Sequence, residues 1–461
     1  MEERIKKINT IDKVKGKYVA YWMQGSQRSR YNHSLEYGVL EANRLGVPLI
    51  VFFDIFTDYP EANYRHYYFM IEGLIDVQGE LKRRGIDFVV LHGELIHNIL
   101  EISREASLLI CDKGYMKISK KWRRDISRAV GCPMVEVESN LVVPVEVASQ
   151  KEEYAARTIR PKIRRVLDSY LYDFQYEEYR IKEKVSKGTM ERWQGIYTSR
   201  LSPEELCKDL NLDMSVDRSR AFAGGEREAQ RRLEGFLEDF LDGYSSFGGN
   251  PGKNSVSCLS PYLHFGQISP LDIARRVLEK RSQKNREDVE DFLEELIIRR
   301  ELAFNFIYYN ENYDKWEGIT YPWAYETLRI HSGDEKKYLY SLMELEEGAT
   351  HDIYWNTAQR EMVDTGYMHG YMRMYWCKKI LEWSVSPKEA YKTAIYLNNK
   401  YFIDGRDPNS YTGVAWCFGK HDRAWKERLI YGKVRCMMAS GLERKFHMKE
   451  YIDRVEQLRE G

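Results

Sequence analysis

The feature that most constrains this chain is a change of period partway along it. Up to residue 145, short apolar runs recur at Tyr18–Met23, Pro48–Phe53, Phe88–Leu91, Leu108–Cys111 and Met134–Val137, several of them β-branched. Helical patterns lie between them. The clearest places Tyr67, Met70, Leu74, Val77 and Leu81 at three- and four-residue spacing, a buried stripe. Strands that alternate with helices pair in parallel, because each crossover carries the chain back over one face of the sheet. Residues 1–145 therefore read as a doubly wound parallel α/β domain. From residue 226 to the end the strand pattern vanishes, and 226–461 read as an all-helical domain. Residues 146–225 are mixed and charge-rich, as in KEEYAARTIRPKIRR, and read as a connector with short helices; Arg200–Gly225 lacks periodicity and reads as a loop.

Several classes are excluded at once. The seven cysteines form no CxxC pair and sit at no zinc-ligand spacing from a histidine, so no metal site is expected and the thiols read as reduced, as in the cytoplasm. The start, MEERIKKINTIDKVKGK, has no apolar core of a secretory signal. The longest apolar run, near Val47–Phe53, falls far short of the ~18 residues a membrane span needs. The first strand-to-helix turn, YWMQGSQRSRYN, has no GxGxxG and so no cradle for a dinucleotide pyrophosphate. That leaves the crevice at the strand C-termini for another ligand, beside the plainer reading of a sheet that only packs.

The helical half carries the chemistry. Gly243–Gly266 (GYSSFGGNPGKNSVSCLSPYLHFG) is a Gly/Ser/Asn-rich loop entering a helix at Ser260-Pro261, which suits a phosphate site but also a plain linker. In DFLEELIIRRELAFNF, Phe292, Leu296, Arg299 and Ala303 share a helical stripe, and Glu295 stands one turn before Arg299. This pair is either a solvated salt bridge or the charged lining of a cavity. Trp376 and Trp383 are seven residues apart, on one helix face and roughly 10 Å along its axis. With Trp355 they could pass electrons stepwise, although core packing is the commoner use of such indoles. DGRDPN at 404–409 is turn chemistry, with Asp407-Pro408-Asn409 a β-turn, and its charges suggest a clasped polar ligand.

Charge is uneven. The chain balances 71 basic against 71 acidic residues, which taken whole argues against a nucleic-acid partner. Yet residues 420–449 hold nine Lys/Arg against three acids, while 226–242 hold six acids against three basics. A basic stretch beside Trp416 and Trp425 has what phosphate contact with base stacking requires, although a solvated basic face would look the same.

Taken together, YWMQGSQR, EYAARTIR, LSPYLHFGQIS, FLEELIIRREL, YWNTAQ and the run MHGYMRMYWCKKILEW…LNNKYFIDGRDPNSYTGVAW…HDRAWKER…GKVR resemble the class II cyclobutane pyrimidine dimer (CPD) photolyases of the photolyase/cryptochrome family. The likeness covers nearly the whole chain and is densest over 351–447. It implies an α/β antenna domain and a helical domain holding FAD, active when reduced, in a light-driven lyase that repairs CPD-bearing DNA. By this resemblance Tyr244 and the segment Val256, Ser257, Cys258, Leu259 and Ser260 hold the FAD phosphates and ribityl chain. Arg373 and Asp404 stand beside the isoalloxazine, and Asn398 faces flavin N5. Trp376, Trp355 and Trp383 form the electron-transfer chain. Glu295, Met374 and Trp416 line the dimer pocket with Arg299 nearby, and Arg423 and Arg435 stabilise the opened DNA. Glu295 would donate to a pyrimidine carbonyl if protonated, while Arg299 would favour its ionised form. The resemblance implies no membrane and no obligate protein partner, hence a monomer.

Three segments depart from the family pattern. Gly248-Gly249 stands where an Arg-Asn pair is usual, the run after Trp416 (CFGKHD) is one residue shorter, and SRYNHSL replaces an acidic, Trp-bearing pattern. The last bears on the antenna chromophore, expected to be of the 8-hydroxy-deazaflavin type. Two other functions compete. A cryptochrome-like photoreceptor would keep flavin and tryptophans and signal through a C-terminal extension, which this chain, ending at Gly461, does not display. A (6-4) photolyase would need a histidine acid in the pocket; no matched pocket position is His, although His369 and His421 lie in matched segments.

Overall fold

The computed structural model describes residues 2–193, 201–253 and 255–460; Arg200 and Asn254, in segments singled out above, lie outside the described residues. Its N-terminal part is a six-stranded sheet: β1 (Ile5–Lys7), β2 (Tyr18–Trp22), β3 (Leu49–Ile55), β4 (Asp87–His92), β5 (Ala106–Asp112) and β6 (Met134–Val137), in the order β1-β6-β5-β2-β3-β4. All pairings are parallel except that of β1 with β6. Strands β2, β3 and β5 are buried along their whole length. Their alternate side chains enter two cores: Val19, Tyr21 and Val51 join Leu35 and Leu74 on one face, and Ala20, Trp22 and Phe52 join Ile99 and Ile126 on the other. A sheet covered on both faces reads as continuous apolar runs, which is why these strands were legible.

Two elements differ from expectation. β1 was not foreseen, since three residues cannot display a period; it is held by buried Arg4, which donates to the carbonyls of Glu138, Leu141 and Val142. The stretch read as a loop contains the helix Pro203–Asp209. Ser202 caps it by accepting from Glu205 N–H, Pro203 occupies its first turn, and Leu206 and Cys207 are buried in the core. Two turns are too short to show a stripe, so the cap was the only readable signal.

Beyond residue 226 the regular elements among the described residues are helices, from Glu226–Asp239 to Met448–Glu460, apart from one isolated antiparallel bridge between Arg428 and Gly432. The turn YWMQGSQR joins the two halves. Its backbone N–H groups at Gln24, Gly25 and Ser26 do cradle an anion, but that anion is the Asp112 carboxylate, at 2.9–3.0 Å. Across the joint, Arg28 donates to the Gly266 carbonyl at 2.9 Å. Gly266 has φ 68°, and a Cβ there would lie 2.0 Å from the Gly25 carbonyl oxygen, so any side chain would force the halves apart.

Candidate functional site

The helices Ile353–Thr365 and Gly370–Trp383 bring three indoles into one dry column. Trp355 stacks on Trp376 with ring centres 6.3 Å apart and planes 7° off parallel, and meets Trp383 edge-on at 5.7 Å. All three are at most 1 % exposed. The Trp355 indole donates to the Trp376 carbonyl at 2.9 Å, and that of Trp376 to Gln359 Oε1 at 2.8 Å. Gln359 was not foreseen. It stands one turn after Trp355, where a polar residue on a buried stripe needs a partner.

The column's inner end lies one ring from an ion pair. Phe402 packs against Trp376 at 6.4 Å, and the Arg373 guanidinium lies over the Phe402 ring at 3.9 Å. Arg373 donates to Asp404 Oδ1 at 2.9 Å and to the Met368 carbonyl at 2.9 Å. Its Nη2 is buried with no acceptor. Asn398, also buried, donates to Ser410 Oγ and, at 3.1 Å, to Asn399 Oδ1. The rest of DGRDPN turns inward. Buried Arg406 meets His66 Nε2 at 3.0 Å, and Asp407 caps the helix Pro408–Cys417 rather than forming an isolated β-turn, because Asp-Pro is also a helix-start signature.

The Gly-rich loop is pinned from two sides. Asp288 accepts from Gly243 N–H (2.9 Å), Ser245 N–H (2.8 Å) and Ser245 Oγ (2.6 Å). Tyr244 opens the short helix Tyr244–Phe247 and packs edge-on against Phe236 and Phe292; burial pushes its phenol well above the ordinary range. His369 Nε2 lies 3.0 Å from the Gly248 carbonyl, and burial lowers its pKa to about 4, so this nitrogen donates from a neutral ring. Downstream, Val256 and Ser257 are half-buried outside regular structure, and Cys258 holds φ 52°, a left-handed conformation rare outside glycine. Leu259 is buried. Ser260 is the first residue of the helix Ser260–Phe265, not its cap; Leu259 takes the cap position with no side-chain bond.

Glu295 and Arg299 sit on a π-helical turn, Glu294–Arg299, where Arg300 N–H bonds the Glu295 carbonyl. The wider turn breaks the expected stripe: Phe292, Leu296 and Ala303 are buried, whereas the Arg299 side chain is 53 % exposed. Arg299 Nε lies 2.8 Å from Glu295 Oε1. Desolvation by its neighbours raises the Glu295 pKa, and Arg299 pulls it back. Trp416 and Met374 are half-buried; Cys417, next to Trp416, places its Sγ 3.9 Å from the Met374 carbonyl. Arg435 covers the Trp416 ring at 5.6 Å, whereas exposed Arg423 lies over Trp425.

Between the halves lies an open cavity of about 220 Å³, walled by Phe56, Tyr59, Tyr67 and Trp122. Two buried acceptors of its lining, Gln27 Oε1 and Asp54 Oδ1, have no partner. Burial raises the Asp54 pKa to about 6. Among the described residues no group of His, Cys, Asp and Glu could hold a metal, and no helix is long and apolar enough to cross a membrane.

The fold is shared with a bacterial class III photolyase from Agrobacterium tumefaciens, whose crystal structure matches at a TM-score of 0.67 and 16 % identity over 96 % of this chain and 87 % of that one. The architecture is thus of the photolyase class. The DNA photolyase family model matches residues 19–180. The deoxyribodipyrimidine photo-lyase of Methanothermobacter thermautotrophicus is 46 % identical over 99 % of this chain and 98 % of its own length. That of Arabidopsis thaliana is 39 % identical over 95 % and 89 %. Cryptochrome-2 of Arabidopsis thaliana matches only 34 % of this chain, at 26 % identity. This chain belongs to the DNA photolyase family. The family implies FAD, and the niche around Arg373 fits a flavin: a buried guanidinium N–H without an acceptor suits a ring carbonyl or nitrogen.

Proposed function

We propose that this protein is a light-driven lyase of the class II type, which splits cyclobutane pyrimidine dimers in DNA and acts as a monomer. The observation that carries this reading is the dry indole column ending one ring from the Arg373–Asp404 pair, whose free Nη2 awaits an acceptor. Reduced FAD, when bound and excited by light, supplies the single electron that opens the cyclobutane ring.

The chain's residues supply position and electrostatics. Tyr244 and Val256–Ser260 would hold the phosphates and ribityl chain, Arg373 with Asp404 would orient the ring system, and Asn398 would stand toward its N5 edge. Trp383, Trp355 and Trp376 would pass electrons along this buried column toward the Arg373 end to restore the reduced state. A dimer must leave the base stack to reach such a site, at a cost of a few kcal/mol that is smaller for a damaged step. Trp416 is the flat wall that receives it, beside Met374. Glu295, in its protonated form, donates to a pyrimidine carbonyl where negative charge develops, and Arg299 tunes that proton. Arg423 and Arg435 hold the opened strands. The interdomain cavity would hold a second chromophore of the 8-hydroxy-deazaflavin type: Phe56, Tyr59, Tyr67 and Trp122 would pack a planar ring, and Asp54 and Gln27 would accept from its donors.

The deciding experiment is blue illumination of the reduced, FAD-loaded protein with a CPD-bearing oligonucleotide. Restored pyrimidine absorbance is expected. Intact dimers after illumination would favour a photoreceptor instead.

A further inference from the structure

Lys378 has no part in the roles above, yet it is one of the most costly side chains in the molecule to bury. It is 0 % exposed on the helix Gly370–Trp383. A buried ammonium is expensive unless compensated, and among the described residues no carboxylate lies within ion-pair distance of it. Its Nζ donates to the carbonyl of Cys417, at the C-terminal end of the helix Pro408–Cys417, where carbonyls lack helical partners and a cation suits the dipole. Its other neighbour is an indole: Nζ lies 5.6 Å from the centre of the Trp416 ring.

From there the pattern repeats outward. The Arg435 guanidinium lies between two indoles, 5.6 Å from Trp416 and 5.0 Å from Trp425. Arg423 covers Trp425 again at 5.0 Å. Lys378, Trp416, Arg435, Trp425 and Arg423 thus alternate cation and ring from the core to the surface. The outer members belong to a closed hairpin. Trp425 N–H bonds the Lys433 carbonyl at 2.8 Å, and Arg428 and Gly432 exchange both backbone bonds at 2.9 and 2.8 Å. Asp422 accepts from the Trp425 indole at 3.1 and 3.2 Å, and Tyr431 OH donates to the Lys378 carbonyl at 3.0 Å. The hairpin is therefore tied to the Lys378 turn twice, through the ladder and through Tyr431.

We infer that Lys378 is a positioning residue for DNA opening: the buried end of a cation–indole ladder that holds the 422–435 hairpin in place before DNA arrives. This rests on the reading that Trp416 and Arg435 face the lesion and its strands. Ordering a loop is a cost of binding unless the free protein has already met it, and a cation–π contact strengthens as it is desolvated, as at the buried Lys378 end of the ladder. A preset hairpin matters for a dimer inside a duplex, which must be opened, and much less for one in a single strand.

The test is Lys378→Met, which keeps the length and removes the charge. Dark titrations would compare CPD oligonucleotides in duplex and single-stranded form. The loss of affinity on the duplex is expected to exceed that on the single strand by about tenfold, with FAD content and photoreduction rate unchanged. Equal losses, or none on the duplex, overturn the inference. In a Trp416→Leu background the same change should have no further effect; an additive one overturns it too. Should Lys378→Met fail to fold, hydrogen exchange on the DNA-free wild type decides: slow amides at 425, 428 and 432 are expected, and exchange at open-chain rates refutes the ladder. If neither form of CPD DNA binds while those amides are slow, the ladder stands and the repair reading falls.

Discussion

Trp355 and Trp376 come from different helices, stack 6.3 Å apart within 7° of parallel, and are linked by a hydrogen bond from the Trp355 indole to the Trp376 carbonyl. The bond fixes the indole's rotation, and burial keeps water from both rings. Replacing Trp355 by Phe keeps an aromatic ring but makes it far harder to oxidise. Photoreduction of the bound flavin should collapse, while chemically reduced protein still repairs. The cavity and lost hydrogen bond should cost about 1–3 kcal/mol of stability by denaturant titration.

Arg299 is expected to set the pH range of repair. It holds down a Glu295 carboxyl, 56 % exposed, whose pKa partial desolvation by its neighbours raises. In Arg299→Met the opposing charge is gone, so the Glu295 pKa rises and its protonated form persists to higher pH. The fall of repair yield with rising pH should move to the alkaline side. In Glu295→Gln the neutral donor is permanent, and that limb should flatten.

His369 should make the Gly248 loop sensitive to acid. Its pKa is depressed by burial to about 4 from an unfolded value near 6.5. The unfolded state therefore gains a proton first as pH falls, and stability is lost between about pH 6.5 and pH 4, by about 3 kcal/mol for this group alone. His369→Gln keeps a donor toward the Gly248 carbonyl without the titration. Its unfolding free energy should lose less than the wild type across that window.

Arg423 and Arg435 are the outermost cations over Trp425. If each neutralises one phosphate, replacing either by Ala should reduce the slope of log K against log salt by about 0.9. Binding of undamaged duplex should show the same change, since the contact carries no sequence information.

Asp54 should discriminate among cavity ligands. Its Oδ2 accepts from Asn98 at 2.7 Å, and Oδ1 is left without a partner. Asp54→Asn would replace one acceptor by a donor on amide rotation. If the wild-type protein retains the proposed chromophore's absorbance band on gel filtration, the variant should weaken or lose it, with the FAD spectrum unchanged.

Most of the sheet was legible because β2, β3 and β5 are buried on both faces and so carry uninterrupted apolar runs. β1 and the helix Pro203–Asp209 were not, since three and seven residues are too few for a period. The Glu295–Arg299 spacing foretold an ion pair, and one exists. That a π-helical turn would move Arg299 off the buried stripe was not readable, because α-helical spacing is assumed in any such stripe.

By itself the sequence determined the change from α/β to helical architecture, the helix that carries both Trp376 and Trp383, and, through its family resemblance, the residues expected around flavin and dimer. Periodicity and capping are local, so they survive in one dimension. Tertiary structure alone decided that Trp355 would enter between those two indoles, that Asp112 would fill the anion nest of the first turn, and that Lys378 would lie under Trp416. Each is a meeting of side chains from separate elements, and such meetings depend on how helices and strands pack, which no spacing along the chain encodes.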